Sequence, residues 1–449
     1  MKLLIEKIQT KLDGFDIFSL FKEDLNTIIL DSARDAEILG RYSFIGLNCF
    51  LTFKSKNGTC YKGEEVYAGD TFEELNKILE EYPIENNTGI PFVSGGIGYF
   101  SYDLSREVEE LPNIAMEDID IPHCYYNFYD NVIIVDNLKN NVYISALGIL
   151  KPQRQSIYEI EQRIQKGSKI VYDKVGNITN KFTSNFEKSK YINTISKVRA
   201  YIKSGDIYIT NLTQRFTCSI SKSAYKICKD LRHINPAPFA AFMNIEDFSI
   251  ICSSPERFLR IKDRMVETRP IKGTMPRGLN EEDDIKNKNI LINSEKDKAE
   301  LLMVVDLERN DLSKVCKPGS VKVTELFKLE EYSTVFHLVS TIIGELKEVV
   351  SPLDCIKACF PGGSITGTPK IRSLEIIEEL EPVRRNIYTG ALGYLGFEGN
   401  VDLNIIIRTI LKKDNTAYFG VGGGITWDSN EKLEYDETID KARALMRVL

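Results

Sequence analysis

The chain lacks the cysteine spacing of a disulfide frame or a zinc site. It has nine cysteines, an odd number, and no two are spaced Cys-x-x-Cys; the nearest pair, Cys355 and Cys359, stands one helical turn apart. That usage describes buried thiols in a reducing compartment. No long uncharged apolar run occurs, so no membrane-spanning helix is expected. The opening Met1-Lys2-Leu3-Leu4-Ile5-Glu6 carries charge too early for the apolar core of a secretion signal, and a cytoplasmic protein is expected. A long basic stripe is missing too, and the net charge of -7 excludes a nucleic-acid-coating role. Internal repeats and low-complexity tracts are absent. What is present is the composition of an ordinary globular protein, 43% hydrophobic and 27% charged. The length of 449 residues is enough for a large core or two domains.

The first stretch reads as mixed strands and helices. Ile28-Ile29-Leu30, Val132-Ile133-Ile134-Val135 and Val142-Tyr143-Ile144 are β-branched runs bounded by Asp and Asn turn residues. From Lys151 to Lys188 the chain is charged, with one helix expected over Ser156 to Gln165 and a linker after it. The expected division is therefore 1–150, a linker over 151–187, and 188–449. In the last part, Ser294 and Asp297 suit a capping box before Ala299-Glu300-Leu301-Leu302-Met303-Val304-Val305. Thr368 is expected to cap a helix whose first residue is Pro369. An amphipathic helix from about Lys432 closes the chain, with Leu433, Ile439, Ala442 and Leu445 expected to face a core.

Several residues carry potential chemistry. Lys272 lies in Thr268-Arg269-Pro270-Ile271-Lys272-Gly273-Thr274, between a proline-set backbone and a glycine turn. Enclosed, such a lysine is a nucleophile near neutral pH; exposed, it is an ordinary loop cation. Glu434 and Glu437 project from one face of the last helix, and Glu300 interrupts an apolar run. Two or three carboxylates suffice for magnesium. The same residues also suit a solvated helix face and an ion pair between Glu300 and Arg309. Gly362-Gly363-Ser364-Ile365-Thr366-Gly367-Thr368-Pro369-Lys370 fails as a phosphate loop, because Thr-Pro-Lys replaces Gly-Lys-Ser/Thr. It remains a tight loop whose amides suit a carboxylate. Gly422-Gly423-Gly424 admits close backbone approach to a ligand, or a bulged strand. Arg408, at the end of the apolar run Asn404-Ile405-Ile406-Ile407, calls for an anionic partner. Glu256 suits an ion pair with Arg257, and His337, one of only three histidines, suits a core position.

Taken together and in order, these segments resemble the chorismate-utilising enzymes, which include anthranilate, isochorismate and aminodeoxychorismate synthases. The resemblance runs through Gly205-Asp206-Ile207-Tyr208, Gln214-Arg215-Phe216, Ser254-Pro255-Glu256-Arg257-Phe258 and the Lys272 segment. It continues through Val305-Asp306-Leu307-Glu308-Arg309-Asn310-Asp311-Leu312, His337-Leu338-Val339-Ser340, Ile407-Arg408-Thr409 and Glu434-Tyr435-Asp436-Glu437-Thr438. Gly95-Gly96, Gly98-Tyr99 and Tyr102-Asp103 extend it to the N-terminal part. It implies an α+β fold, a sandwich of two antiparallel sheets with helices outside and the active site in the cleft between the two parts. It implies Glu256 as general acid, His337 near the substrate, and Mg²⁺ on Glu300 and Glu437 with Glu434 close by. Tyr388, Arg408, Gly422, Gly423 and Gly424, with Ser364 and Thr274, are implied to bind the substrate. Lysine in Pro-Ile-Lys-Gly-Thr looks like aminodeoxychorismate synthase component I, where anthranilate synthases carry alanine. The implied reaction turns chorismate and ammonia into 4-amino-4-deoxychorismate, for p-aminobenzoate and folate, through a covalent intermediate on Lys272. Ammonia is implied to come from a separate glutamine amidotransferase subunit in a heterodimer. Ser32, Arg41, Tyr42, Ser43, Pro238, Phe239 and Ala240 are similar to the tryptophan pocket of these enzymes, and a domain interface is the plainer meaning. Anthranilate synthase component I and a tryptophan-binding regulatory protein without catalysis stand as alternatives. The family's glutamine and valine after Gly205-Asp206-Ile207-Tyr208 are replaced by Ile209-Thr210, so any contact of that glutamine does not carry over.

Overall fold

A ribbon of two long strands organises the molecule. Every residue of Cys124–Asp136 is buried, as a β-branched and aromatic strand covered on both faces must be. It pairs antiparallel with the strand Tyr42–Lys56, from Tyr42 opposite Asp136 to Ser55 opposite Cys124. A register shift between Cys49 and Leu51, beside Asn48 at φ 55°, bends the ribbon in its middle. Its two ends consequently belong to two sheets. On one side the order runs from Leu4–Ile8 and Asn141–Ala146 through the ribbon to Ile28–Asp31, Phe239–Asn244, Phe248–Ser254, Thr409–Lys413, Thr416–Ile425 and Ile209–Ser219. On the other it runs from the ribbon to Gly95–Phe100, Ala391–Gly396, Val401–Ile405, Arg257–Lys262, Met265–Thr268 and Val335–Glu345. Ile271–Pro276 and Lys322–Glu331 flank that last strand. The computed structural model describes residues 2–33, 39–278, 280–332 and 335–449, so Met1 of the opening segment lies outside it.

Alternation along the strands shows how the sheets stack. Ala241, Met243, Ile250 and Cys252 share one hydrophobic cluster with Leu259, Tyr394, Leu395 and Leu403 of the other sheet. Their neighbours Phe242, Ile251 and Ile410 pack instead on Phe18, Ile160, Ile227, Leu231, Ala442 and Leu445 from helices. One face of the sheet meets the other sheet and the opposite face meets helices. This is the expected α+β sandwich with helices outside. The first 150 residues and the last part share sheet edges, Ile28–Asp31 on Phe239–Asn244 and Gly95–Phe100 on Ala391–Gly396.

Three local expectations are corrected. The helix over 156–165 begins earlier and spans Gln153–Gln165. Thr368 does not cap a helix: it pairs with Ile209 in a short strand, Pro369 takes the cap position and the helix is Lys370–Leu380. The strand pairing claims the backbone that a cap residue needs. Leu433 does not face the core but is 67% exposed. The buried stripe of Glu431–Val448 is Glu434, Thr438, Ala442, Leu445 and Val448, which brings a glutamate inward in place of the leucine. Ser294 does cap Glu295–Val315, accepting from the Asp297 amide at 3.2 Å. Among the described residues no helix is long and apolar enough to cross a membrane, and all nine cysteines are free.

Candidate active site

A cavity of about 690 Å³ opens between the glycine strand Thr416–Ile425, the strand Ile271–Pro276 and the helices Glu295–Val315 and Glu431–Val448. Lys272 reaches into it. Its Nζ donates to the Ser364 carbonyl at 3.0 Å and stands 3.7 Å from where a Cβ on Gly424 would lie. Gly273 takes φ 78°, and a Cβ there would meet Leu291 and Asp297 within 2.9 Å, so the turn after the lysine needs glycine. Ser364 belongs to the tight turn Gly363–Ile365, and a Cβ on Gly363 would stand 3.1–3.2 Å from Leu307 and Glu308.

Glu256 is buried in the cavity wall, and its Oε1 has no hydrogen-bond partner among the described residues. Burial raises its pKa; the Ser364 side chain and the Lys272 charge oppose that only in part. The ion pair with Arg257 does not form, because that guanidinium turns away to Asp402 and Glu267 at 2.9 Å. His337 places Nδ1 2.9 Å from the Thr274 hydroxyl, and burial lowers its pKa to about 4, so its ring is neutral at pH 7. Tyr388 also faces the cavity, its phenol made less acidic by burial. A Cβ on Gly420 would lie 2.3 Å from the Tyr388 ring, so that glycine seats the tyrosine.

Three carboxylates come from two helices. Lys296 Nζ lies 3.4 Å from Glu434 and 3.8 Å from Glu300, while Lys441 Nζ lies 2.6 Å from Glu437 and donates to the Gly422 carbonyl at 2.8 Å. Glu300 does not pair with Arg309, which binds Asp306. Burial raises the Glu300 pKa. At Glu437 burial acts the same way, but Lys441, Lys296 and Lys272 together outweigh it and the pKa falls below the usual value. A Cβ on Gly423 would come within 3.6 Å of both Glu434 and Glu437. Among the described residues no three Asp, Glu, His or Cys side chains are grouped as ready metal ligands. The donor set nonetheless suits a hard cation, since the Lys296 ammonium is already held between two carboxylates.

Arg408 occupies a turn between Val401–Ile405 and Thr409–Lys413 at φ 53° and donates to the Lys441 carbonyl at 2.8 Å. Among the described residues it has no carboxylate partner within 4 Å, and burial lowers its pKa. It is thus a cation facing the cavity with room for an anion. Lys370, by contrast, is committed to a buried ion pair with Asp311 and is not a ligand group. The sequence reading missed Lys296, Lys441 and Asn211, which also line the cavity. The lysines stand four residues from Glu300 and Glu437, a spacing that signals pairing on a helix; nothing in the local sequence marks Asn211.

A second cavity of about 360 Å³ is lined by Ser32, Arg41, Tyr42, Pro238, Phe239 and Ala240 together with Asp31 and Tyr394. Ser43 stands behind it, accepting from the Ser32 amide at 3.0 Å and donating to Asp31 at 3.3 Å. Arg41 pairs with Asp136 at 2.8 Å and lies over the Tyr42 ring. Pro238 borders both cavities.

Residues 26–447 match the family of chorismate binding enzymes. The chain belongs to this family. It is 37% identical to anthranilate synthase component 1 of Acetivibrio thermocellus, over 96% of this chain and 92% of that one. It is 38% identical to aminodeoxychorismate synthase component 1 of Bacillus subtilis (strain 168), over 94% and 91%. The crystal structure of anthranilate synthase component I from Streptococcus pneumoniae TIGR4 matches with a TM-score of 0.81 at 29% identity, covering 91% of this chain and 93% of that one. MenF, the menaquinone-specific isochorismate synthase from Escherichia coli, shares the fold at 16% identity with a TM-score of 0.75, covering 100% and 94%. Within the chorismate binding enzymes, this is a chorismate-utilising enzyme of the anthranilate and aminodeoxychorismate synthase component I type.

Proposed function

We propose that the chain is aminodeoxychorismate synthase component I, converting chorismate and ammonia to 4-amino-4-deoxychorismate for p-aminobenzoate and folate. The observation that carries this reading is the Lys272 amine in the cavity, beside the buried carboxyl of Glu256. Arg408 and the amides of the glycine strand receive the carboxylates of chorismate. The Lys272 lone pair forms a bond to C2 as both ring double bonds shift, C1=C2 to C1=C6 and C5=C6 to C4=C5, and the C4–O bond breaks. Glu256 gives its proton to that oxygen, which leaves as water, and the proton released at the new C–N bond restores Glu256. Ammonia then bonds to C4, both double bonds shift back to C5=C6 and C1=C2, the C2–Nζ bond breaks, and one ammonia proton ends on Lys272. Covalent capture splits one difficult substitution into two easier ones. A bound Mg²⁺, held by Glu300 and Glu437 with Glu434 close by, would neutralise a substrate carboxylate. His337, neutral and fixed on Thr274, orients the substrate without adding charge.

The relatives are called component 1. In keeping with that name, a separate glutamine amidotransferase subunit supplies the ammonia. Anthranilate synthase component I is the second reading, favoured by the overall likeness to that enzyme. The test is acid quenching during turnover, followed by mass analysis of the peptide containing Lys272. A chorismate-derived mass on that peptide is expected, absent in Lys272→Ala, with kcat reduced by on the order of a thousandfold or more. An adduct that persists in Lys272→Ala, or full activity without the lysine, rules the reading out.

A further inference from the structure

We infer that Asn211 is the ammonia-binding residue of this cavity. The inference rests on the reading of the cavity as an ammonia-using chorismate site. Asn211 lies on Ile209–Ser219 directly opposite Gly424. Its backbone is fixed from both sides: the amide donates to the Thr366 carbonyl at 2.7 Å and the carbonyl accepts from Arg385 at 2.6 Å. Arg385 is itself buried, paired with Glu381 at 2.8 Å and donating to the Ile365 carbonyl at 2.9 Å. The clamp therefore ties Asn211 to the turn whose Ser364 carbonyl receives Lys272.

The side chain is treated differently. It lines the cavity, and its Oδ1 is buried without a hydrogen-bond partner among the described residues. Buried amide oxygens are normally paired, so an unpaired one facing a ligand cavity marks a place for a donor. Oδ1 lies 3.0 Å from where a Cβ on Gly422 would stand, while Lys272 Nζ lies 3.7 Å from the equivalent point on Gly424. The free amide and the lysine amine thus border one short stretch of glycine strand.

The chemistry of the surroundings selects the donor. The cavity's other side-chain acceptors include the carboxylates Glu256, Glu300, Glu434 and Glu437. Beside a carboxylate, ammonia is held as ammonium, which has no lone pair to give. A carboxamide oxygen accepts an N–H without favouring protonation, so it orients ammonia and leaves its lone pair free for C4. The substrate's own carboxylates are drawn to Arg408 and the lysines rather than to an acceptor oxygen. In the step itself the ammonia nitrogen bonds to C4, the C2–Nζ bond breaks and the displaced proton passes to Lys272; Asn211 exchanges no proton.

Steady-state kinetics with chorismate, Mg²⁺ and an ammonium salt series test this on the whole chain and on Asn211→Ala and Asn211→Val. Since the side-chain amide makes no hydrogen bond among the described residues, both variants are expected to keep the parent melting temperature, and valine keeps a strand-compatible side chain should alanine loosen the strand. The expected result is a KM for ammonium raised about tenfold, the loss of one hydrogen bond, with the KM for chorismate within about twofold. The Lys272 adduct formed without ammonium should accumulate at the parent rate. A raised KM for chorismate with an unchanged KM for ammonium would mean that the amide, turned to present Nδ2, binds a substrate carboxylate, and the inference would fall. Unchanged values for both would overturn it as well. The ammonium comparison holds whether the parent makes 4-amino-4-deoxychorismate or anthranilate, so failure of the product assignment is read separately.

Discussion

A carboxyl that delivers a proton at neutral pH needs surroundings that penalise its charged form. Glu256 has them in its burial and in an oxygen without a hydrogen-bond partner among the described residues, and the nearby Lys272 charge only moderates the effect. Its pKa lies above the ordinary carboxyl value, so the protonated form that the proposed mechanism uses is present at low pH and lost as pH rises through that raised value. Glu256→Gln should lower kcat by about 10²–10⁴ and remove the corresponding alkaline fall from the pH–rate profile. A loss under tenfold, with the fall intact, would assign the proton to another group. This residue was legible because Ser-Pro-Glu-Arg is a local pattern. Asn211 was not legible, since an unpaired amide is visible only once both neighbouring strands are in place.

The helix Glu295–Val315 serves the site with one end and the core with the other. Its first turns present Lys296 and Glu300 to the cavity, and further along Glu308 is buried against Thr268. The Thr268 hydroxyl lies 2.9 Å from both the Phe258 carbonyl and Glu308. Its single proton serves one of them at a time, and a protonated carboxyl donates to the hydroxyl when that proton goes to the carbonyl. Burial correspondingly pushes the Glu308 pKa from 4.5 up to about 8. In the unfolded chain the group ionises near its ordinary value. The stability it contributes is therefore complete below that value and is lost as pH climbs to about 8. Glu308→Gln removes this loss, so it should raise the melting temperature at pH 8 clearly more than at pH 5. An equal change at both pH values would show that Glu308 is ionised in the folded protein. The closing helix teaches the complementary lesson about reading sequence. Periodicity located Glu431–Val448 but assigned Leu433 inward, whereas the buried stripe begins at Glu434 because Lys296 of another helix meets it there. A lone apolar residue does not fix a helix face when a glutamate paired with a neighbouring helix competes for the position.

Across the whole molecule, the sandwich places two cavities on either side of one loop, with Pro238 in the wall of each. The α+β class was readable from the family resemblance and not from periodicity, and the bent ribbon that joins the two sheets depends on the Cys49–Leu51 register shift, which no local rule predicts. The smaller cavity combines Tyr42 and Phe239 with Asp31 and Arg41, the last two already paired with Arg232 and Asp136. L-Tryptophan is proposed as its ligand, and saturating tryptophan should raise the melting temperature by a few degrees, as any ligand of the folded state does. No shift in the intact chain, or an equal one after Ser32 and Arg41 are both replaced by alanine, would remove that assignment.

The central claim is that Lys272 commits the enzyme to amination at C4 of chorismate. Product analysis of the purified chain with chorismate, Mg²⁺ and an ammonium salt tests it most directly. The predicted result is 4-amino-4-deoxychorismate, converted to p-aminobenzoate when a lyase is added. Anthranilate accompanied by pyruvate would contradict it.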